Sequence, residues 1–164
     1  MLVVAGAAVV LSWYRFKDPD GFYHLKIGQL ILEQGALLRT NTLSNLFADY
    51  PWNNPEWLFQ ILLALAHRLG GWVGVAILKS SLVLALALAV YVMARRQEAG
   101  RVASVALTLT LLSVDRFRMT ERPHLVSHLF FALTVLLVEE HRRRRGRLGL
   151  LALPPLFAVW SNFH

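Results

Sequence analysis

Residues 72–94 read WVGVAILKSSLVLALALAVYVMA, and this stretch decides the fold class. Lys79 is its only charged residue, and about 20 apolar residues are what one helical membrane crossing needs. Five shorter apolar runs accompany it, at 2–14, 55–69, 102–114, 124–138 and 148–161. Flanking aromatic and basic side chains can extend such short spans by reaching toward the membrane surface. The pattern predicts an all-α, polytopic membrane helix bundle with about five spans.

The composition excludes several other classes of protein. Of the 164 residues, 56% are hydrophobic and 16% are charged, whereas soluble domains carry about a quarter charged residues. The net charge of +7 could indicate nucleic-acid binding, but the arginines lie between apolar runs, which is typical of membrane topology. We therefore expect membrane lipid and no nucleic acid as a partner. The absence of cysteine excludes disulfides and thiolate metal sites.

Two basic segments predict the orientation of the spans. They are Arg95–Arg101 and Arg142–Arg145 with Arg147, and such segments favour the cytoplasmic side. The runs 102–114 and 124–138 lie between them, so two crossings place 115–123 on the outer face. The segment 72–94 then runs from the outside to the inside.

Residues 19–34 are predicted to form an amphipathic helix on the membrane surface. Asp18 before Pro19 is typical of a helix start, and Gly35 is typical of a helix end. The apolar side chains fall on one stripe of this helix. Asp18 is therefore interpreted mainly as a helix cap.

Segment 55–69 either crosses the membrane or lies flat on it. Asn54 and Pro55 indicate a helix start and Gly70 its end. Polar side chains within the segment favour the flat arrangement, namely Gln60, His67 and Arg68. Only a flat helix places 16–54 and 115–123 on the same side of the membrane.

Three carboxylates of the outer face are candidate catalytic groups: Asp18, Asp20 and Glu56. A carboxylate near a medium of low dielectric constant can have a raised pKa and act as a general base. Asp20 has no capping role once Asp18 takes it, so catalytic and structural interpretations are equally supported for Asp20.

Basic side chains near the outer face are candidate phosphate ligands. Arg116, Arg118 and Arg122 occupy an outer loop that the positive-inside bias would leave without arginine, and Lys79 lies within the longest span. Phosphate binding and reach toward the membrane surface explain them equally well.

Histidines give weaker signals. His124 and His128 have the spacing of a metal-binding pair, but a packed or hydrogen-bonded pair is the more common reason for it, and we assign no metal. His24 and His164 are single candidates. A divalent metal ion stays open as a cofactor.

The order of several motifs resembles a known enzyme family. They are DPDGFYHL at 18–25, ILEQG at 31–35, WNNPEWL at 52–58, Arg122-Pro123-His124 and the closing WSNFH at 160–164. Together they resemble the N-terminal part of membrane glycosyltransferases of the GT-C type, closest to protein mannosyltransferases and aminoarabinose transferases that use polyprenyl-phosphate sugars. We expect 1–164 to be a single transmembrane module and a fragment of a longer protein.

The resemblance implies a reaction and a location. A sugar would pass from a polyprenyl-phosphate carrier to a lipid, glycan or protein acceptor at the outer face of a bacterial cytoplasmic (inner) membrane. Alignment of the motifs places Asp20 at the family's catalytic aspartate and Gly21 at its second acid, so the acidic site is Asp20 alone or Asp18 with Asp20. Glu56 would support it. The alternative is a non-catalytic membrane scaffold or assembly subunit.

Single cysteines can test this topology because the chain contains none. We expect Gln97→Cys to react only from the cytoplasm. Asn45→Cys and Thr120→Cys should react with an impermeant maleimide on intact cells. Labelling of position 97 from outside would overturn the predicted orientation. Labelling of position 45 from the cytoplasm alone would overturn the flat arrangement of 55–69.

Overall fold

A computed structural model describes residues 1–13, 18–47, 50–144 and 148–164. These residues form seven α-helices and one short 3-10 helix at Asp115–Arg118. The α-helices are α1 Leu2–Ser12, α2 Pro19–Gln34, α3 Trp57–Arg96, α4 Arg101–Val114, α5 Pro123–Arg144, α6 Leu148–Leu151 and α7 Leu153–Trp160. Within the described ranges there is no β-strand, only an isolated bridge between Thr40 and Pro51. The prediction of an all-α fold is confirmed.

Helix α2 has the limits that its capping residues predict. The carboxylate of Asp18 accepts a hydrogen bond from the backbone N–H of Asp20 at 3.1 Å, and Pro19 occupies the first helical position. Gly35 ends the helix with a φ of 65°, a conformation that glycine adopts without strain. Asp18 therefore caps the helix, as interpreted from the sequence.

Helix α3 bends sharply at Gly70 and Gly71, where the backbone leaves helical geometry. Gly71 has a φ of 55°, and a Cβ on Gly74 would lie 2.1 Å from the carbonyl oxygen of Ala66. A straight helix would hold residues eight apart about 12 Å from each other, so the chain folds back. The bend separates a first arm, 57–69, from a second arm, 72–96, at the place where the sequence predicts a helix end.

Four apolar clusters hold the described helices together, and two of them position the site. One joins α1, the second arm of α3, α4 and α5 around Val4, Val83, Leu112, Met119 and Leu125, which are all at most 1% exposed. The other packs α2 against both arms of α3 and against α5; its buried members are Leu25, Phe59, Leu63, Ala64, Val75 and Val126. Helix α2 and the residues before α3 are thereby brought beside the start of α5.

The helices differ from the predicted segments at three places. The run 148–161 is divided into α6 and α7, because Pro154 and Pro155 lack the N–H of a helix interior and fit only the first turn of a new helix. Helix α5 extends past 138 through Arg144, so part of the predicted basic loop is helical. Helix α3 begins at Trp57 rather than 55. Tyr14, Arg145 and Arg147 lie outside the described residues.

Among the described helices, two are long and apolar enough to cross a membrane. They are Trp57–Arg96, whose most apolar window has a mean hydropathy of 2.3, and Pro123–Arg143, with 1.2. The remaining apolar helices are shorter, so the number of spans and the flat arrangement of 55–69 stay predictions.

The close approach of α2 to α3 at Gly28 gives a test of this packing. A Cβ on Gly28 would lie 1.9 Å from the carbonyl oxygen of Gln60, and backbone cannot yield as a side chain can. We expect Gly28→Ala to separate α2 from α3 and to lower the free energy of unfolding by about 1–3 kcal/mol, measured by denaturation in detergent. Gly6→Ala is the control, since nothing lies within 4 Å of a Cβ there; equal effects would contradict the packing.

Candidate functional site

A cavity of about 500 Å³ opens between α2, the residues before α3 and the start of α5. Its walls combine acidic, basic and aromatic side chains: Asp20, Tyr23, His24, Glu56, Arg122, Pro123, His124 and His164. Six of the predicted candidates therefore line one cavity, although they come from four separate parts of the sequence. This arrangement is the candidate site.

Arg122 joins the start of α2 to the start of α5. Its Nη2 donates to Oδ1 of Asp18 at 2.7 Å, and its Nε donates to the other oxygen of the same carboxylate. Its Nη1 lies 2.8 Å from Oδ2 of Asp20. Such a two-point contact is the strongest and most directional form of ion pair. Arg122 thereby contacts both carboxylates at the start of α2.

The two carboxylates of this pair have different surroundings. The side chain of Asp18 is 6% exposed, whereas that of Asp20 is 57% exposed and lines the cavity. The hydrogen bond from Arg122 holds the pKa of Asp18 below its ordinary value, against the opposing effect of burial. Asp18 is therefore a fixed anion held at the start of α2, and Asp20 is the carboxylate that a ligand can reach.

Glu56 supplies a third carboxyl group, and its pKa is shifted in the opposite direction to that of Asp18. Burial raises its pKa above the ordinary value, while the nearby His164 acts against this shift. Burial favours the neutral carboxyl because an isolated charge loses hydration. Its Oε2 lies 3.6 Å from Nδ1 of His24. Glu56 and Asp18 thus differ in the protonation state that their surroundings favour.

A buried polar chain supports His24 from behind the cavity. Gln60 Nε2 lies 3.3 Å from His24 Nδ1, and Asn54 Nδ2 donates to Gln60 Oε1 at 2.6 Å. Asn54, Gln60 and His24 are all at most 9% exposed. From the sequence, Asn54 was predicted to be a cap and Gln60 a polar residue of a surface helix, so this chain was not predicted. The signal that could have shown it is one polar position, Gln60, between the apolar residues Phe59 and Ile61.

The turn that follows α7 brings His164 to the cavity. The backbone N–H of Leu58 donates to the carbonyl of Asn162 at 3.1 Å, and the indole N–H of Trp57 donates to its side-chain oxygen at 2.8 Å. Trp160 donates from its indole to Ser127 at 2.9 Å. The residues of the closing motif therefore cap the start of α3 and fix the position of His164.

Lys79 does not line the cavity, so the structure does not bring this predicted phosphate ligand together with the other candidates. Its Nζ lies 2.6 Å from Oε1 of Glu121, and the two side chains are each only 2% exposed. Within the described part of the chain, the other oxygen of Glu121 is buried without a hydrogen-bond partner. A charged lysine is tolerated within the longest apolar helix because Glu121, 42 residues away, pairs with it. Sequence spacing could not reveal that pairing.

Arg116 and Arg118 also lie apart from the cavity walls. Both occupy the 3-10 helix Asp115–Arg118 and are exposed. The carbonyl oxygen of Arg118 accepts a hydrogen bond from His124 Nε2 at 2.6 Å. His128 Nδ1 instead lies 3.3 Å from Asp115. The two histidines have separate partners, and the described residues contain no group of three or more side chains arranged to hold a metal ion.

Comparison with protein-family models, with curated proteins and with solved structures finds no match to this chain. The functional argument therefore rests on the cavity itself. The geometry brings together Asp20, Glu56, Arg122 and three histidines, with Asp18 behind Arg122. It leaves Lys79, Arg116 and Arg118 outside.

The buried ion pair gives a second test of the structure. Lys79→Met removes the partner of a buried carboxylate, and we expect it to cost about 3–5 kcal/mol of folding free energy. The double variant Lys79→Met/Glu121→Leu removes both charges and should recover most of this loss. Denaturation in detergent measures both. Equal stability of the single variant and the parent protein would contradict the pairing.

Proposed function

We propose that this chain is the N-terminal part of a polytopic membrane glycosyltransferase of the GT-C type. It would transfer a sugar from a polyprenyl-phosphate carrier to a lipid, glycan or protein acceptor at the outer face of a bacterial cytoplasmic membrane. The observation that carries the proposal is the cavity in which the acidic start of α2 meets Arg122, Glu56 and three histidines. Two helices with the length and hydropathy of membrane spans support the location.

Asp20 is the proposed general base. It lines the cavity, and more than half of its side chain is accessible. An acceptor hydroxyl would give its proton to this carboxylate while its oxygen forms a bond to the anomeric carbon. The bond from that carbon to the carrier phosphate would break at the same time, so the configuration inverts. Glu56 is the second candidate, since its raised pKa suits a group that takes up a proton.

Arg122 is the proposed contact for the departing phosphate. Among the described residues it is the only lysine or arginine that lines the cavity. A guanidinium group offers five N–H donors in a fixed geometry, so it can contact two carboxylates and still meet a phosphate oxygen. Arg116 and Arg118 are exposed nearby and would attract the anionic carrier from outside the cavity.

Two observations favour a non-catalytic scaffold as the second candidate. The family's second acid is Gly21 in this chain, and Arg122 neutralises much of the charge that Asp18 and Asp20 provide. Such an ion pair could serve only to join α2 to α5. The two candidates differ in what removal of the Asp20 charge should do to transfer.

We expect Asp20→Asn in the full-length protein to reduce sugar transfer about a hundredfold to ten-thousandfold. The amide keeps the size of the side chain but cannot take up a proton at neutral pH. Transfer is measured in membranes with polyprenyl-phosphate mannose and polyprenyl-phosphate aminoarabinose as donors. Glu33→Gln is the matched control, because it makes the same chemical change on an exposed position near the other end of α2.

Near-normal turnover of Asp20→Asn would contradict Asp20 as the base. Glu56→Gln would then test the second candidate base. If both variants transfer sugar normally, or if the parent protein transfers neither sugar, the scaffold gains support. Membrane abundance of each variant separates a catalytic loss from a failure to insert.

A further inference from the structure

The hydrogen bonds that link Asn54, Gln60 and His24 have a fixed order of donors and acceptors. The chain begins at the backbone N–H of Glu56, which donates to Oδ1 of Asn54 at 3.3 Å. A backbone N–H can only donate, so the oxygen of the Asn54 amide must face it and the amide nitrogen must face Gln60. Asn54 Nδ2 donates to Gln60 Oε1 at 2.6 Å. This contact in turn directs the Gln60 nitrogen toward His24.

The last contact of the chain determines which nitrogen of His24 holds a proton. Gln60 Nε2 lies 3.3 Å from His24 Nδ1, and because an amide nitrogen can only donate, Nδ1 must accept. The single proton of a neutral imidazole then resides on Nε2. We propose that His24 is a neutral hydrogen-bond donor, presenting Nε2–H to an oxygen atom of the molecule bound in the cavity. Asn54 and Gln60 are the positioning residues for this donor.

The charges around His24 oppose one another. Asp20 and Asp18 favour its protonated form, and Oε2 of Glu56 lies 3.6 Å from Nδ1. Arg122 and His124 favour the neutral form. Burial has the largest effect and lowers the pKa of His24 to about 4. The ring packs edge-on against Phe59, with centroids 5.8 Å apart. The surroundings therefore favour the same neutral ring that the hydrogen-bond chain requires.

The cavity has a specific need for such a donor. Carboxylates can only accept hydrogen bonds. The N–H groups of Arg122 that do not face Asp18 and Asp20 are assigned to the phosphate, so a bound sugar hydroxyl gains from a further donor, which His24 supplies without adding charge. The identity of the bound molecule rests on the proposed function, whereas the protonation state of His24 does not.

Nitrogen NMR of the full-length protein in nanodiscs tests the protonation state without any substrate. In ¹⁵N-histidine-labelled protein we expect His24 to give the pattern of a neutral ring protonated at Nε2 throughout pH 5.5–8. Gln60→Glu replaces the donor with an acceptor, so Nδ1 should become protonated and the His24 ring should titrate at a higher pH. Gln97→Glu is the control at an exposed position. Loss of one signal in His24→Asn assigns the resonance.

Transfer assays with the two polyprenyl-phosphate donors test the donor role. His24→Asn retains an amide at the position of Nδ1 but has no group at that of Nε2, so KM should rise about threefold to tenfold. His24→Gln places an amide nitrogen at the ε position and should restore KM substantially.

An Nδ1-protonated or charged His24 in the parent protein at pH 7 would overturn the inference. So would an unchanged spectrum in Gln60→Glu. Equal KM values for His24→Asn and the parent protein would overturn the donor role alone. A parent protein that transfers neither sugar would refute the proposed function and this donor role together, while the NMR result would still decide the protonation state.

Discussion

The Lys79–Glu121 ion pair is the constraint on which the site depends. Both side chains are buried, and they join the middle of α3 to the segment before α5. Met119, two residues before Glu121, is buried in the apolar core. Arg122, the residue after Glu121, contacts the start of α2. An unpaired charge at this depth would cost several kcal/mol, so the pair restricts the segment to one position. Arg122 reaches Asp18 and Asp20 because this segment cannot move away.

The carboxyl groups near the cavity differ because each has a different balance of charge and burial. Asp18 is held ionised by Arg122, whereas burial favours the neutral form of Glu56. Asp20 has one arginine contact and a largely accessible side chain. Pairs of groups whose surroundings separate their pKa values are typical of sites that move protons. The proposed roles follow these differences rather than the order of the residues in the sequence.

Local signals predicted the helices, whereas distant contacts determined the site. Asp18, Pro19 and Gly35 predicted the limits of α2 because capping depends on adjacent residues. Gly70 likewise predicted the end of the first arm of α3. The division of 148–161 was missed because hydropathy does not record the missing N–H groups of Pro154 and Pro155. The pairing of Lys79 with Glu121 was also out of reach, since each depends on a partner brought near only by folding.

The distribution of polar and apolar residues gives a last physical argument about the environment of the chain. Several large apolar side chains lie on the outside, including Leu2, Phe117 and Val102, which are at least 85% exposed. The interior instead contains Lys79, Glu121 and Gln60, and a hydrogen bond between Ser12 and Ser80 at 2.9 Å. In water this arrangement would leave the apolar surface unburied. In lipid it is favourable, because polar groups must find partners within the protein. The need of polar groups in lipid for partners within the protein therefore supports a membrane location. It also explains why the polar side chains lie beside one another and around the cavity.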